Sequence, residues 1–372
     1  MDRVSWLSAV KYLVLFLGVL SGSAAAPGQS PAPVPDAPLV QAAVVTAPVP
    51  GFNDSLTFPG LMFAAEGDSR HRSQAQSSRP ALKRAHIDPS MVGYLDDPTV
   101  ISEARVRFDA GFNDPRPDRA EYFYCGCANI GPSAAIQRTL NFQQLYFQGE
   151  YAVTSRFSGF VEVPFRWIQP TFYPYSQPIP SSSVNAGGIS DVRSGLKFAA
   201  IASAARELAL ELTAAFPSGD GTKGLGTGHY SLIPAAIYYQ KLSDRAGMEA
   251  EFNDTHPIGG YVNPATSPTS PEKDFYGDVA MYGIGPSYKL IERRAYTLAP
   301  VLELVAWHVF GGLQTDSDNN IDSAADINVF NVKLGARISF TNGGSVYAGY
   351  GRGVTSDILY RNLFRMEYRY AF

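Results

Sequence analysis

From Glu103 to Phe112 every charged residue holds an odd position, whereas Val106, Phe108 and Phe112 hold even ones. A two-residue period whose two sets never mix requires a strand with unlike faces, because successive side chains point to opposite sides of the pleat. The rule recurs along the chain. Gln144, Gln148 and Glu150 oppose Leu145, Phe147 and Tyr151; Glu162 and Arg166 oppose Val161, Val163, Phe165 and Trp167. Asp191, Arg193 and Lys197 oppose Val192, Leu196 and Phe198; Glu211 and Thr213 oppose Leu208, Leu210 and Leu212; Glu249 and Glu251 oppose Met248 and Phe252. Later, Asn331, Lys333, Arg337 and Ser339 oppose Phe330, Val332, Leu334, Ile338 and Phe340. Finally, Arg365, Glu367 and Arg369 oppose Phe364, Met366, Tyr368, Tyr370 and Phe372. Two segments, Tyr230–Lys241 and Gly277–Leu290, alternate less cleanly but are rich in Tyr, Ile and Ala.

Connection lengths give a second constraint. Short turns fall at Thr154–Arg156, Ser203–Arg206, Ser243–Arg245, Ile291–Arg294 and Asn342–Gly344, the last with strong hairpin chemistry. Longer polar or Pro-containing loops fall between them, at Asn113–Gln137, Gln169–Gly188, Ser218–Thr227, Asn253–Asp274, Gly311–Ala325 and Thr355–Leu359. Strict alternation of short and long connections predicts about 12 antiparallel strands with both ends on the short-turn side.

The first residues place these strands in an envelope. Arg3 and Lys11, the apolar run Tyr12–Leu20 and the small residues Ser21–Ala26 have the three-part form of a secretory signal, expected to span residues 1–26. Residues 27–100 read as a Pro/Ala-rich disordered periplasmic linker, and a return of Phe58–Phe63 into a pore as a plug is its functional alternative. No later segment has about twenty consecutive apolar residues, so a membrane must be crossed by strands. In lipid every backbone amide must be paired, so the strands must close on themselves, apolar parity outward and charged parity inward. The expected fold over 101–372 is therefore all-β, a transmembrane antiparallel up-and-down β-barrel in the outer membrane. A soluble barrel would reverse the faces, and one strand cannot separate the two cases; the signal, the strand lengths, the turn alternation and the aromatic ending together do. The ending Tyr368, Tyr370 and Phe372 resembles the closing strand of bacterial outer-membrane barrels, which implies an assembly signal for the barrel-assembly machinery. Outer-membrane lipid is the other expected partner. The formal net charge of −4 argues against a nucleic-acid partner.

Three stretches carry a family resemblance: Gly188–Phe198, with the pattern Asp-x-x-x-Gly-x-Lys; Leu212–Asp220, ending Pro-Ser-Gly-Asp; and Gly224–Gly228, with Pro300–Leu304 beyond. Over roughly Arg138 to Phe372 the chain is similar to the outer-membrane transporter-like proteins grouped as the MetA-pathway of phenol degradation family. The resemblance implies a barrel that passes small hydrophobic or aromatic solutes. The linker and the loop holding Cys125 and Cys127 have no counterpart in it.

The inward parity supplies the candidate solute pathway: Glu162, Arg166, Asp191, Arg193, Lys197, Glu303, Lys333, Arg337, Arg365 and Glu367. Rings of charge select solutes, but interspersed signs can equally form ion-pair networks that fill a narrow barrel, which would make it a structural or adhesin-type barrel. Phe142 and Tyr146, on the polar parity, are the candidates for apolar solute contact. An outer-membrane hydrolase of the phospholipase kind needs a Ser–His pair near the rim; His308 has the right place but no matching Ser motif beside it. The other histidines lack metal spacing, and the acidic loop Asp316–Asp322 lacks the glycine of an EF-hand loop. Cys125-Gly126-Cys127 reads as a loop link or a pair of loop thiols rather than a redox site. No cofactor or metal is implied.

Overall fold

The computed structural model describes residues 90–115, 137–172, 185–258, 276–315 and 321–372. The signal sequence, the linker up to residue 89, the loop holding Cys125 and Cys127 and residues 316–320 lie outside the described residues. Twelve long strands follow in chain order. They are β1 Glu103–Pro115, β2 Gln137–Ala152, β3 Phe157–Phe172, β4 Val192–Ala202, β5 Arg206–Phe216 and β6 Tyr230–Lys241. The second half comprises β7 Ala246–Ile258, β8 Val279–Tyr288, β9 Tyr296–Val309, β10 Asn328–Phe340, β11 Gly344–Gly353 and β12 Asn362–Ala371. Every strand pairs antiparallel with its successor, and β12 pairs with β1 from Ala371 opposite Glu103 to Asn362 opposite Phe112. The sheet thus closes as a 12-strand barrel without a free edge, as the connection pattern predicts. Strands of 10 to 16 residues are long enough to cross a bilayer at a tilt.

The faces are those of a barrel in lipid. Phe147, Leu196, Phe198, Leu210, Leu212, Phe252 and Leu334 point outward and are exposed, while Glu103, Arg105, Asp109, Glu150, Lys197, Glu303, Arg337 and Glu367 point inward and are buried. In water this distribution would leave an apolar shell around a charged core. In a bilayer the shell meets acyl chains, and the closed ladder pairs the backbone of each strand with both neighbours, as lipid requires.

The end of the expected linker differs from its reading as an irregular spacer. Ser90–Val100 lies inside the barrel as a bent wedge, with most of its residues buried. One limb starts at the short-turn end, where Ser90 meets Glu249 of β7 and the Met91 sulfur lies 3.8 Å from Ser339 Oγ of β10. The bend reaches Tyr94 at mid-barrel, beside Lys333 and Arg365. The other limb returns through Asp97 and Thr99 to Glu103, where β1 begins.

The wedge also accounts for the imperfect alternation of β8. Its lumen-facing positions include Gly283 and Gly285, and a Cβ there would come within 2.5 Å of Leu95 and 2.7 Å of Val92. Glycine at these sites lets the wedge lie directly against the sheet backbone. Met91, Val92, Tyr94 and Leu95 then pack with Ala299, Val301 and Val305 of β9, Tyr347 of β11 and Leu363 of β12 as one buried apolar cluster.

Candidate functional site

The lumen is divided between the wedge, seated against the wall from β7 to β12, and an open cavity that runs along the remaining wall and reaches Met281, Trp307, Lys333 and Arg365 beside the wedge. The wedge is held largely through its backbone. Glu303 accepts the Gly93 N–H at 2.6 Å and the Tyr94 N–H at 2.9 Å; Glu251 accepts the Asp96 N–H at 2.7 Å; Glu249 accepts the Ser90 hydroxyl at 2.7 Å. Arginines supply the opposite half of the recognition. Arg337 donates to the carbonyls of Met91 at 3.2 Å and Val92 at 2.6 Å, and Arg365 donates to that of Gly93 at 2.8 Å. Such charge-assisted bonds satisfy both the buried ions and the bent segment's backbone groups, neither of which could remain unpaired away from water.

At the short-turn end an ion-pair network joins the wedge to the wall. Arg369 reaches Asp97 at 3.0 Å, Arg337 reaches Glu367 at 2.7 Å, and Arg105 reaches Glu103 at 2.8 Å. On the opposite wall Lys197 binds Glu150 at 3.0 Å, and Thr99 donates to Glu207 at 3.2 Å. Glu103, Glu150 and Glu207 are buried beneath these contacts.

Above the network the cavity has a volume of about 310 Å³. It extends from Thr255 and Pro257 at the long-loop end to Arg105 and Gln148 toward the short-turn end. Aromatic and ionic groups alternate around it. The Arg107 guanidinium lies 3.8 Å from the centroid of the Tyr146 ring and 3.3 Å from Glu162, while Arg166 hydrogen-bonds Gln144 and faces Phe142. Ile233 and Ala235, on the inward side of β6, make part of the wall apolar, which explains the weak alternation of that strand.

The motifs behind the family resemblance meet at the cavity's outer end. Asp191 accepts the Gly219 N–H at 3.0 Å and both the N–H and hydroxyl of Thr227 at 2.6 Å, tying the loop between β5 and β6 to the start of β4. A Cβ on Gly226 would collide with Asp191, and one on Gly195 would lie 2.5 Å from the Phe160 ring. The loop then places Leu225 against Leu140 and Ile168. Thr227 also holds His229, whose imidazole is pushed below its ordinary pKa by burial.

Of the sequence-derived pathway residues, Glu162, Arg166, Asp191, Arg193, Lys197, Lys333 and Arg365 line the cavity. Glu303, Arg337 and Glu367 instead hold the wedge or its supporting network and lie outside the cavity lining. Phe142 and Tyr146 both line it. His308 hydrogen-bonds the Asn328 side chain at 2.9 Å and packs on Phe310. Sequence reasoning missed the residues from Ser90 to Thr99. The available signal was in the wall: Gly283, Gly285, Ala299, Val301 and Val305 put small or apolar groups on a parity that otherwise carries charge.

A closed sheet, an apolar exterior and a charged lumen decide the type of molecule. The chain is a β-barrel of the outer-membrane type. No family model matches it, and no curated protein matches it in sequence. Among solved structures the barrel is similar to an outer membrane channel from Pseudomonas putida F1, with 14% identity over 74% of this chain and 96% of that one and a TM-score of 0.46. It is also similar to the NanC porin, with 8% identity over 73% of this chain and all of the other, TM-score 0.40. A Pseudomonas aeruginosa FadL homologue shows 12% identity over 73% and 90% of the two chains, TM-score 0.36. With TM-scores below one half, the reading of this barrel rests on its own residues.

Proposed function

We propose that the barrel is an outer-membrane channel for small hydrophobic or aromatic solutes and that Ser90–Val100 restricts its short-turn end. The observation that carries this reading is the unfilled cavity of about 310 Å³ beside the wedge. A barrel built only for rigidity would fill that space with side chains. The mixed lining suits solutes that combine an apolar ring with a polar group, since Phe142, Tyr146, Phe160 and Trp307 offer ring faces between charged residues. This agrees with what the resemblance to the MetA-pathway proteins implies.

Planar-bilayer recording of the purified full-length protein tests the proposal. Wild type should show discrete conductance steps, and Arg193→Glu should shift the reversal potential in a KCl gradient toward cation preference. Arg193 lines the cavity with a side chain 39% exposed, so reversing its charge changes the field along the route. An absence of steps in wild type, or an unchanged reversal potential in the variant, would count against a solute path along this wall.

A further inference from the structure

Lys333 projects inward from the middle of β10, is 4% exposed and lines the cavity. Its cross-strand neighbour in the ladder is Glu303, the carboxylate placed to pair with it. The wedge engages that carboxylate instead, through the Gly93 N–H at 2.6 Å and the Tyr94 N–H at 2.9 Å. Nearby Arg365 is also committed, with two contacts of 2.7 Å to Asp109 and one of 2.8 Å to the Gly93 carbonyl. The Lys333 ammonium is left without a hydrogen bond or ion pair among the described residues. It lies instead over two ring faces, 4.1 Å from the centroid of Tyr94 and 5.1 Å from that of Trp307.

Ring faces offset only part of the cost of taking an ammonium out of water, so an anion that reaches Nζ gains a charge-assisted hydrogen bond that no described residue makes there. The surroundings restrict which anion fits. Trp307 lies beside the cation, and Met281, Leu359 and Leu363 add apolar wall to the same cavity, so an apolar group attached to the anion has a surface to rest on. Gly351 lets the Lys333 stem lie close against the sheet, because a Cβ there would lie 3.0 Å from the Lys333 Cγ. A cavity of about 150 Å³ already holds a benzene ring, and this one measures about 310 Å³.

The geometry points to a binding site for a small aromatic monocarboxylate, its carboxylate accepting from Lys333 Nζ and its ring resting on Trp307 and Met281. The wedge shapes this site by taking the hydrogen bonds of Glu303 for its own Gly93 and Tyr94 N–H groups. The assignment rests on the channel reading only for the route by which the solute arrives.

Calorimetric titration of the full-length protein in detergent tests it, with sodium benzoate, benzyl alcohol and benzylamine as probes. Benzoate should bind saturably to wild type, and Lys333→Met should weaken it about tenfold or more, the loss expected for one charge-assisted hydrogen bond. Benzyl alcohol should change by less than about threefold, since the methionine keeps the apolar stem. Absence of saturable benzoate binding to wild type, or equal affinity in wild type and Lys333→Met, would overturn the assignment. If the variant does not fold, wild type decides alone: benzoate must bind about tenfold more tightly than benzylamine, and the reverse order overturns the site. Conductance of the same wild-type preparation separates the two readings. Steps without benzoate binding refute the site and leave the channel, whereas benzoate binding without steps refutes the channel and leaves the site.

Discussion

Replacing residues 91–98 by a Gly-Ser segment of equal length should raise single-channel conductance about threefold or more, because pore conductance grows with the cross-section left for water and ions. The barrel should survive the change. Its twelve-strand ladder is closed without the wedge, since β12 pairs with β1 and each other strand with its successor. Loss of the Met91, Val92, Tyr94 and Leu95 side chains removes the apolar packing that seats the segment, so its main-chain groups leave Glu303, Arg337 and Arg365, and water enters the vacated space and solvates them. Planar-bilayer recording of the replaced and wild-type proteins measures the change. Equal conductance would mean that the wedge does not limit the path.

Arg337→Met should destabilise the full-length barrel by about 3–5 kcal/mol, the usual cost of removing one partner from a buried charged network. Arg337 is fully buried and supports four separate groups: the Met91 and Val92 carbonyls, the Ser345 hydroxyl and the Glu367 carboxylate. Methionine fills some of the volume and makes none of these bonds. In the protein whose wedge has been replaced, the same substitution should cost less than about 1 kcal/mol, because the remaining polar groups can then hydrogen-bond to water. Urea unfolding, followed by the mobility difference between folded and unfolded barrel in a detergent gel, gives both numbers. The difference between them is the coupling between Arg337 and the wedge. An equal cost in the two backgrounds would show that Arg337 serves the wall alone.

The barrel was legible in the sequence because the bilayer imposes its rule on each strand separately. Glu103–Phe112 states that rule as plainly as the last strand does, and the positions of Thr154–Arg156 and Asn342–Gly344 fix where the chain reverses. The wedge was not legible from its own residues, since the lumen holds it chiefly through N–H and C=O groups that every sequence carries. Gly93 is recognised by Glu303 and Arg365 without a side chain of its own. Its trace lay in the wall, in Gly283 and Gly285 of β8 and in Ala299, Val301 and Val305 of β9. Parity assigns a residue to the lumen but not to what stands opposite it. Glu303, Arg337 and Glu367 therefore entered one list with Glu162 and Arg193, although the first three support the wedge and the last two border the cavity.

The division of the lumen into a wedged wall and an open one is tested most directly by thiol labelling with a charged, water-soluble maleimide. The background is a protein with Cys125 and Cys127 replaced by serine. Ala235, on the cavity wall, and Ala299, wholly buried in the apolar cluster with Met91 and Val92, are each changed to cysteine. The structure predicts that Ala235→Cys labels readily, while Ala299→Cys resists until residues 91–98 are replaced. Equal labelling of the two positions in the full-length protein would contradict it.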